Sequence, residues 1–171
     1  MTTTIQLRTA SGRWSADATR TDVSFDARGL FGQMAHGIFP LVAARVDVHE
    51  GRLEVTATLD AAGLDTSNAR RDKDLRGKRF FAVAEHPTLT FRSTDSQVTA
   101  EGWVVDGPLM LRGQSCPLRL TVAVEDLTDD IARVRAEGEV DLRETPIRVP
   151  GLMIGRRVPF RVTSVLHRLA S

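Results

Sequence analysis

The chain has 171 residues, 42% of them hydrophobic and 26% charged, with 23 basic against 22 acidic side chains and a formal net charge of +1. That length suits one domain spanning 1–171 and a sizeable core. No apolar run approaches the roughly 20 residues of a helical membrane span, so stable membrane insertion is not expected. The near-balanced charge argues against nucleic acid as a partner and leaves any pull on anions to local clustering.

The opening segment, Met1 to Arg8, lacks the basic-then-apolar pattern of a secretory leader, and the one cysteine, Cys116, has no intrachain partner. Both features lead to an expectation of a cytoplasmic protein. In chain order, apolar and polar residues then alternate in short pieces around Trp14 and Phe25. A short apolar stretch, Leu30 to Met34, reads as a helix. Alternation returns over Val42 to Val48 and, without a break, over Arg52 to Asp60, which separates two faces of a half-buried strand. Asn68 to Arg76 predicts a two-turn surface helix, with Asp65, Thr66 and Ser67 as N-cap oxygens and Gly77 as a left-handed terminator. Strands follow at Leu89 to Ser93, Val98 to Val104, around Leu111, and at Leu118 to Val124, Ala132 to Val140 and Val158 to Leu166. Turn signals at Glu50-Gly51, Asp106-Gly107-Pro108 and Thr128-Asp129-Asp130 suit hairpins between antiparallel neighbours. Pro146, Pro150, Gly151, Gly155 and Pro159 predict a long irregular loop before Phe160.

The class is therefore all-β, with eight to ten strands and one or two short helices. A sheet of this size must fold over as a sandwich or close as a barrel, because free edges invite association. The face shared with Leu53 carries Ala57, Ala100, Gly102, Gly113, Ala136, Gly138 and Ser164 among larger aliphatics. Those small side chains leave room for a lumen in a barrel of about eight strands, or they mark bends in a sandwich. Alternation alone leaves the two level.

Catalytic signatures are absent: there is no GxGxxG, Walker loop, HExxH or paired CxxC. Gly113-Gln114-Ser115-Cys116-Pro117 approaches a nucleophile elbow but reads as turn chemistry, since proline replaces the final glycine. His36, His49, His86 and His167 show no metal-ligand spacing, and neither a metal nor a cofactor is expected. The most charged stretch, Arg70 to Arg79, holds six basic and two acidic residues. Such runs are usually solvated faces, yet guanidinium groups there could cradle a phosphate or carboxylate. Phe80 and Phe81 follow directly, and the adjacency of charged and apolar surface suits an amphiphile.

The order of Leu64-Asp65-Thr66-Ser67-Asn68, Arg71-Asp72, Leu75-Arg76, Phe80-Phe81, His86-Pro87 and Leu89-Thr90-Phe91-Arg92-Ser93-Thr94 resembles the YceI family. Trp14 with Asp17, Val23-Ser24-Phe25, Gly37-Ile38-Phe39 and the hairpin from Gly107 to Leu120 agree in order, so the resemblance covers nearly the whole chain. It implies a lipocalin-like antiparallel barrel with a long hydrophobic lumen that binds a polyisoprenoid, an isoprenoid quinone or a related long-chain lipid for storage or transport, without transforming it. Two family histidines are replaced, by Thr19-Arg20 in the opening strand and by Asp74 in the helix.

On that reading the ligand-binding residues are Phe25, Phe31, Met34, Phe39, Leu53, Val55, Phe80, Phe81, Phe91 and Met110. Arg70, Arg71 and Arg76 would meet the head group, with Arg28 a weaker candidate. The alternative from another class is a protein-interaction module with a solid barrel, docking an acidic partner on the basic helix at residues 68–79. An enzyme acting on an isoprenoid is a third reading, for which no nucleophile or base stands out. A homodimer joined by a strand edge or the barrel mouth is compatible with each.

Overall fold

The computed structural model describes residues 10–28, 34–147 and 157–170. The described chain is mostly strand, with one α-helix. The strands are β1 (Gly12–Arg28), β2 (Met34–Phe39), β3 (Leu41–His49), β4 (Arg52–Asp60), β5 (Thr88–Arg92), β6 (Asp95–Val98), β7 (Gly102–Leu111), β8 (Gln114–Leu127), β9 (Ile131–Asp141) and β10 (Arg157–Arg168). The helix α1 (Ala69–Arg76) lies between β4 and β5, and a single 3-10 turn occupies Leu142–Glu144.

All pairings are antiparallel, and β1 pairs with β10 from Trp14–Arg168 to Phe25–Phe160, which closes the sheet on itself. Two positions in the wall are each filled by two consecutive strands. At one end of β1, Gly12–Ser15 pairs with β3, while Val23–Arg28 at the other end pairs with β2; the two partners meet at Pro40. Similarly, β5 and β6 both pair with β7, at Leu109–Met110 and at Trp103–Asp106. Ten strands thus build a closed barrel with eight positions around its girth, which settles the choice against a sandwich.

Parity within each strand sorts the side chains. In β4, Leu53, Val55, Ala57 and Leu59 face inward, and Arg52, Glu54 and Thr56 face out. β1 is one 17-residue strand where the sequence predicts two short pieces. A register shift between Ala16 and Thr21 moves its inward set from Trp14 and Ala16 to Thr21, Val23, Phe25 and Ala27. Local hydrogen bonds hold this bulge: Asp17 accepts from the Thr19 amide (3.0 Å) and hydroxyl (2.6 Å), and Thr21 Oγ1 donates to the Asp17 carbonyl (2.6 Å). The Thr19 bonds, aided by His167, hold the Asp17 carboxyl below its ordinary range. An alternation count run straight through the bulge would break there, which is why one strand reads as two.

Other expectations also change. Val98 to Val104 is not one strand, because residues 99–101 turn between β6 and β7. Asp106-Gly107-Pro108 lies inside β7, not in a turn. Pro159 belongs to β10, and residues 148–156 of the long loop fall outside the described residues. Met34 sits in β2; the rest of the short helix expected from Leu30 lies outside the described residues. α1 is capped by Asn68, whose side chain accepts from the Arg71 amide, and Gly77 ends it with φ of −76° instead of a left-handed turn.

Gly107 is present because of a close approach. It lies where β5 hands over to β6, and a Cβ there would press on the Arg92 carbonyl and lie 2.8 Å from the Ser93 Cα. Backbone cannot yield as a flexible side chain does. At this handover the β4 ladder continues through serine hydroxyls: Ser93 Oγ accepts the Val55 amide (2.8 Å) and Ser96 Oγ the Leu53 amide (3.0 Å). Gly107→Ala is expected to destabilise the protein by about 1–3 kcal/mol, against a change within about 0.5 kcal/mol for the exposed Ser115→Ala. Equal denaturant midpoints for the two variants would refute the close-packing account.

Candidate functional site

Inside the wall lies a cavity of about 530 Å³, within the usual range for small-molecule sites. Its described lining is apolar except for Thr21, Ser24, Thr66, Arg71 and Ser164. Of these, Thr21 and Ser164 satisfy each other, Oγ to Oγ at 2.7 Å, on the β1–β10 seam. Among the described residues no buried side-chain polar atom lacks a partner.

The small inward residues decide how much of the interior is filled. Ala57, Ala136 and Ser164 face the cavity where larger aliphatics would close it. Gly138 instead makes room for the neighbouring strand and a ring, since a Cβ there would fall 2.6 Å from the Arg119 carbonyl oxygen and 2.8 Å from the Phe160 Cζ. Gly102 accommodates the Val122 backbone of the neighbouring strand, Gly113 is a turn residue with φ of +74°, and Ala100 is exposed. Part of the small-residue signal therefore reports the lumen and part reports strand crossings.

The two ends of the barrel differ. At one, Trp14 and Trp103 are almost fully buried. Trp14 donates Nε1–H to the Ala10 carbonyl (2.8 Å) beneath the Arg168 guanidinium (4.3 Å), and Trp103 donates to the Gly51 carbonyl (3.1 Å). Both indoles line the cavity and floor it. Sequence reasoning gives them no site role, although both lie on inward-facing strand positions.

At the other end the segment 61–87 crosses from β4 to β5 and carries α1. Thr66, Arg71, Leu75, Phe80 and Phe81 from this segment face the cavity. A chain of rings joins it to the wall: Phe81 meets Phe39 edge-on at 5.5 Å, and Phe39 meets Phe25 at 5.3 Å. Met34, 55% exposed, also lines the cavity, which brings the cavity to the surface beside β2.

Arg71 is the one charged side chain among the described lining residues. Its Nε–H donates to Thr66 Oγ1 (2.8 Å) and its Nη2 to the Thr66 carbonyl (2.8 Å). The Thr66 hydroxyl in turn donates to the buried Asp72 carboxylate, which also accepts the Thr66 amide at 3.0 Å. This relay places a carboxylate close behind the guanidinium and fixes the plane of the fork. Arg71 Nη1 has no acceptor among the described residues, so donors remain at the cavity end.

The predicted residues divide as follows. Phe25, Met34, Phe39, Leu53, Val55, Phe80, Phe81 and Phe91 line the cavity. Phe31 lies outside the described residues. Met110 is corrected: it is 37% exposed on the outer face, because Leu109 and Leu111 hold the inward parity of β7. Arg70 is exposed and does not line the cavity. Arg76 is spent on backbone, its Nε donating to the Ala62 carbonyl (2.9 Å) and its Nη2 to that of Leu64, so it ties α1 to the preceding loop. Arg28 is exposed at the end of β1. The thiol of Cys116 is buried, and burial, with the charge of Glu144, raises its pKa; both oppose a nucleophilic role. Among the described residues no group of histidine, cysteine and carboxylates could hold a metal ion.

These features define a hollow barrel: a closed antiparallel wall, an apolar interior and one polar corner under a helical cap. Residues 14–166 match the YceI-like domain, and the chain belongs to that family. A UPF0312 protein of Pectobacterium carotovorum is 33% identical over 96 residues, 53% of this chain and 50% of that protein. A UPF0312 protein of Yersinia pestis is 40% identical over 67 residues, 39% of this chain and 35% of its own. The chain thus spans half or less of the length of these curated relatives. Among solved structures, Burkholderia cenocepacia BcnA superposes with a TM-score of 0.77 at 18% identity, covering 88% of this chain and 98% of that one. A polyisoprenoid binding domain from Saccharophagus degradans gives 0.72 at 14% identity, covering 91% and 98%. At these identities the two structures speak for the fold.

The cap end also holds a titrating pair. Asp141 accepts from Arg143 Nη2 (2.7 Å), Nε (3.1 Å) and amide (3.0 Å), beside the cavity-lining Leu142. The Arg143 side-chain bonds and then its amide lower the Asp141 pKa to about 2. A depressed carboxylate pKa favours the fold above the ordinary value of 3.8 and loses that contribution as pH falls toward about 2. A carboxyl-resolved NMR titration is expected to show the low midpoint, and Arg143→Ala to return it toward 3.8. An ordinary midpoint in the unmodified protein would contradict the pairing.

Proposed function

We propose that this protein binds a polyisoprenoid or similar long-chain amphiphilic lipid in the barrel lumen, without transforming it, and so stores or carries it. The observation that supports this reading most is the cavity itself: about 530 Å³ of almost wholly apolar interior, open beside Met34 and floored by tryptophans. The tail lies along the lumen between the capped end and the tryptophan floor. The name of the Saccharophagus neighbour, a polyisoprenoid binding domain, agrees with it.

The energetics need little from the head group. Burying about ten methylenes releases roughly 8 kcal/mol gross, which corresponds to micromolar affinity before association costs. Orientation then falls to Arg71, whose Nη1 hydrogens have no acceptor among the described residues. Arg70 and Arg76 have no part in this role. The competing interaction-module reading required a solid core, and the cavity speaks against it.

Native mass spectrometry of gently purified protein is expected to show a retained lipid, with a mass series in isoprene steps if the tail is prenyl. Ala57→Phe and Ala136→Phe each project a ring into the lumen and are expected to reduce uptake of a prenyl-chain probe at least tenfold while circular dichroism stays that of a β-barrel. Lack of retained lipid together with lack of uptake at every chain length would sink the proposal, as would undiminished uptake by both variants.

A further inference from the structure

Charge is separated along the barrel axis even though the whole chain carries only +1. At the tryptophan end, residues 49–52, 99–101 and 125–130 hold Glu50, Glu101, Glu125, Asp126, Asp129 and Asp130 against Arg52, with Arg13 and Arg133 on the adjoining strand ends, which leaves the end net acidic. Arg168, also at that end, is engaged with the Ser11 and Asp129 carbonyls. At the cap end the basic run from Arg70 to Arg79 turns two arginines inward, Arg71 to Thr66 and Arg76 to the Ala62 and Leu64 carbonyls. The other four, Arg70, Lys73, Lys78 and Arg79, are exposed and have no ion-pair partner among the described residues. Asp74 is the one exposed acid within the run; elsewhere at this end the exposed acids Asp65, Glu85 and Glu144 are offset by exposed Arg28, Arg143 and Arg157, which leaves the end net basic. Met34, the exposed lining residue, belongs to this same end.

An axial charge separation in a nearly neutral molecule orients it without holding it tightly. We propose that the cap end is a docking face for an anionic lipid bilayer, which presents the open end of the cavity to the membrane surface. Four cations and an apolar side chain match such a surface, whereas an acidic tryptophan end is repelled by it and points away. Contact held by surface charge of this kind is peripheral and reversible. The inference takes its purpose, lipid exchange, from the carrier reading; the charge separation it rests on is independent of that reading.

The test is co-sedimentation of the full chain with phosphatidylcholine vesicles, with and without phosphatidylglycerol. Binding is expected only to the anionic vesicles and is expected to vanish near 1 M salt, where screening acts within about 3 Å. Each cation near an anionic surface strengthens binding about fivefold, so Lys78→Gln with Arg79→Gln is expected to lose about twenty-fivefold. The milder pair Arg70→Gln with Lys73→Gln repeats the test should the first variant misfold, and Arg52→Gln at the opposite end is expected to bind as the unmodified protein does. Equal binding to both vesicle types, or full binding by both glutamine pairs, overturns the proposal. So does capture on polyglutamate without capture on vesicles, which would assign the face to an acidic protein. Uptake of the prenyl-chain probe from dilute detergent, measured in parallel, reports on the lumen alone. A protein that takes the probe yet ignores vesicles refutes docking and leaves the carrier reading standing.

Discussion

Closure of the wall by β1 and β10 is the constraint on which the rest depends. Their shared register runs from Trp14–Arg168 to Phe25–Phe160, and a one-residue slip would turn every inward side chain outward. The bulge at Asp17–Arg20 makes that long pairing possible. It lets Trp14 serve the floor and Phe25 serve the cap on one strand, although the two lie on positions of opposite parity. The Thr21–Ser164 hydroxyl pair then ties β1 to β10 just where the parity changes. Closed in this way, the sheet has no edge along most of its girth, and its interior becomes a space whose size is set by side-chain volume alone.

The cap converts that space into a site with a polar corner. The segment 61–87 is long because it must cross the barrel mouth, and it is held by contacts on both sides. Ala61 donates to the Pro87 carbonyl at 2.9 Å, and Asp65 exchanges backbone hydrogen bonds with Ile38 of β2. Within it, adjacent residues have different tasks. Arg71 faces the lumen, its neighbour Asp72 is buried against Thr66, and Arg76 reaches back to the loop. The run of charge reads as uniform in sequence, but α1 and the turn that follows it distribute it: two arginines satisfy backbone carbonyls and four cations remain in solvent.

Much of the fold was legible in the residues themselves. Unbroken alternation placed β4 to the residue, and hairpin signals at Glu50-Gly51 and Thr128-Asp129-Asp130 marked real turns. Barrel against sandwich was not decidable from alternation, since both hide one face of each strand; the family pattern and then the β1–β10 pairing supplied the answer. The misreadings share a cause. Val98 to Val104, Gly107-Pro108 and the split of β1 all fall where a strand hands over, bends or bulges, and there the two-residue period reports local geometry that only the neighbouring strand explains. Met110 failed differently. Its size and apolarity resemble those of Leu109 and Leu111, and only the parity of β7 separates them. Trp14 and Trp103 went unassigned because burial in sequence does not say which end of a barrel a residue closes.

A lumen of this size also bears on stability. Left without a lipid, the 530 Å³ of apolar space opens to the surface beside Met34, and its walls forgo the dispersion contacts that a filled core makes. Filling the space with protein was open to this sequence at Ala57, Ala136 and Ser164, where larger side chains would supply the missing contacts, yet small ones stand there. The fold therefore relies on the β-ladder, the aromatic chain from Phe25 through Phe39 to Phe81, and the tryptophan floor to hold the wall apart. Binding then couples to folding, because a ligand that occupies the lumen stabilises only the closed barrel, in proportion to the logarithm of its concentration over Kd.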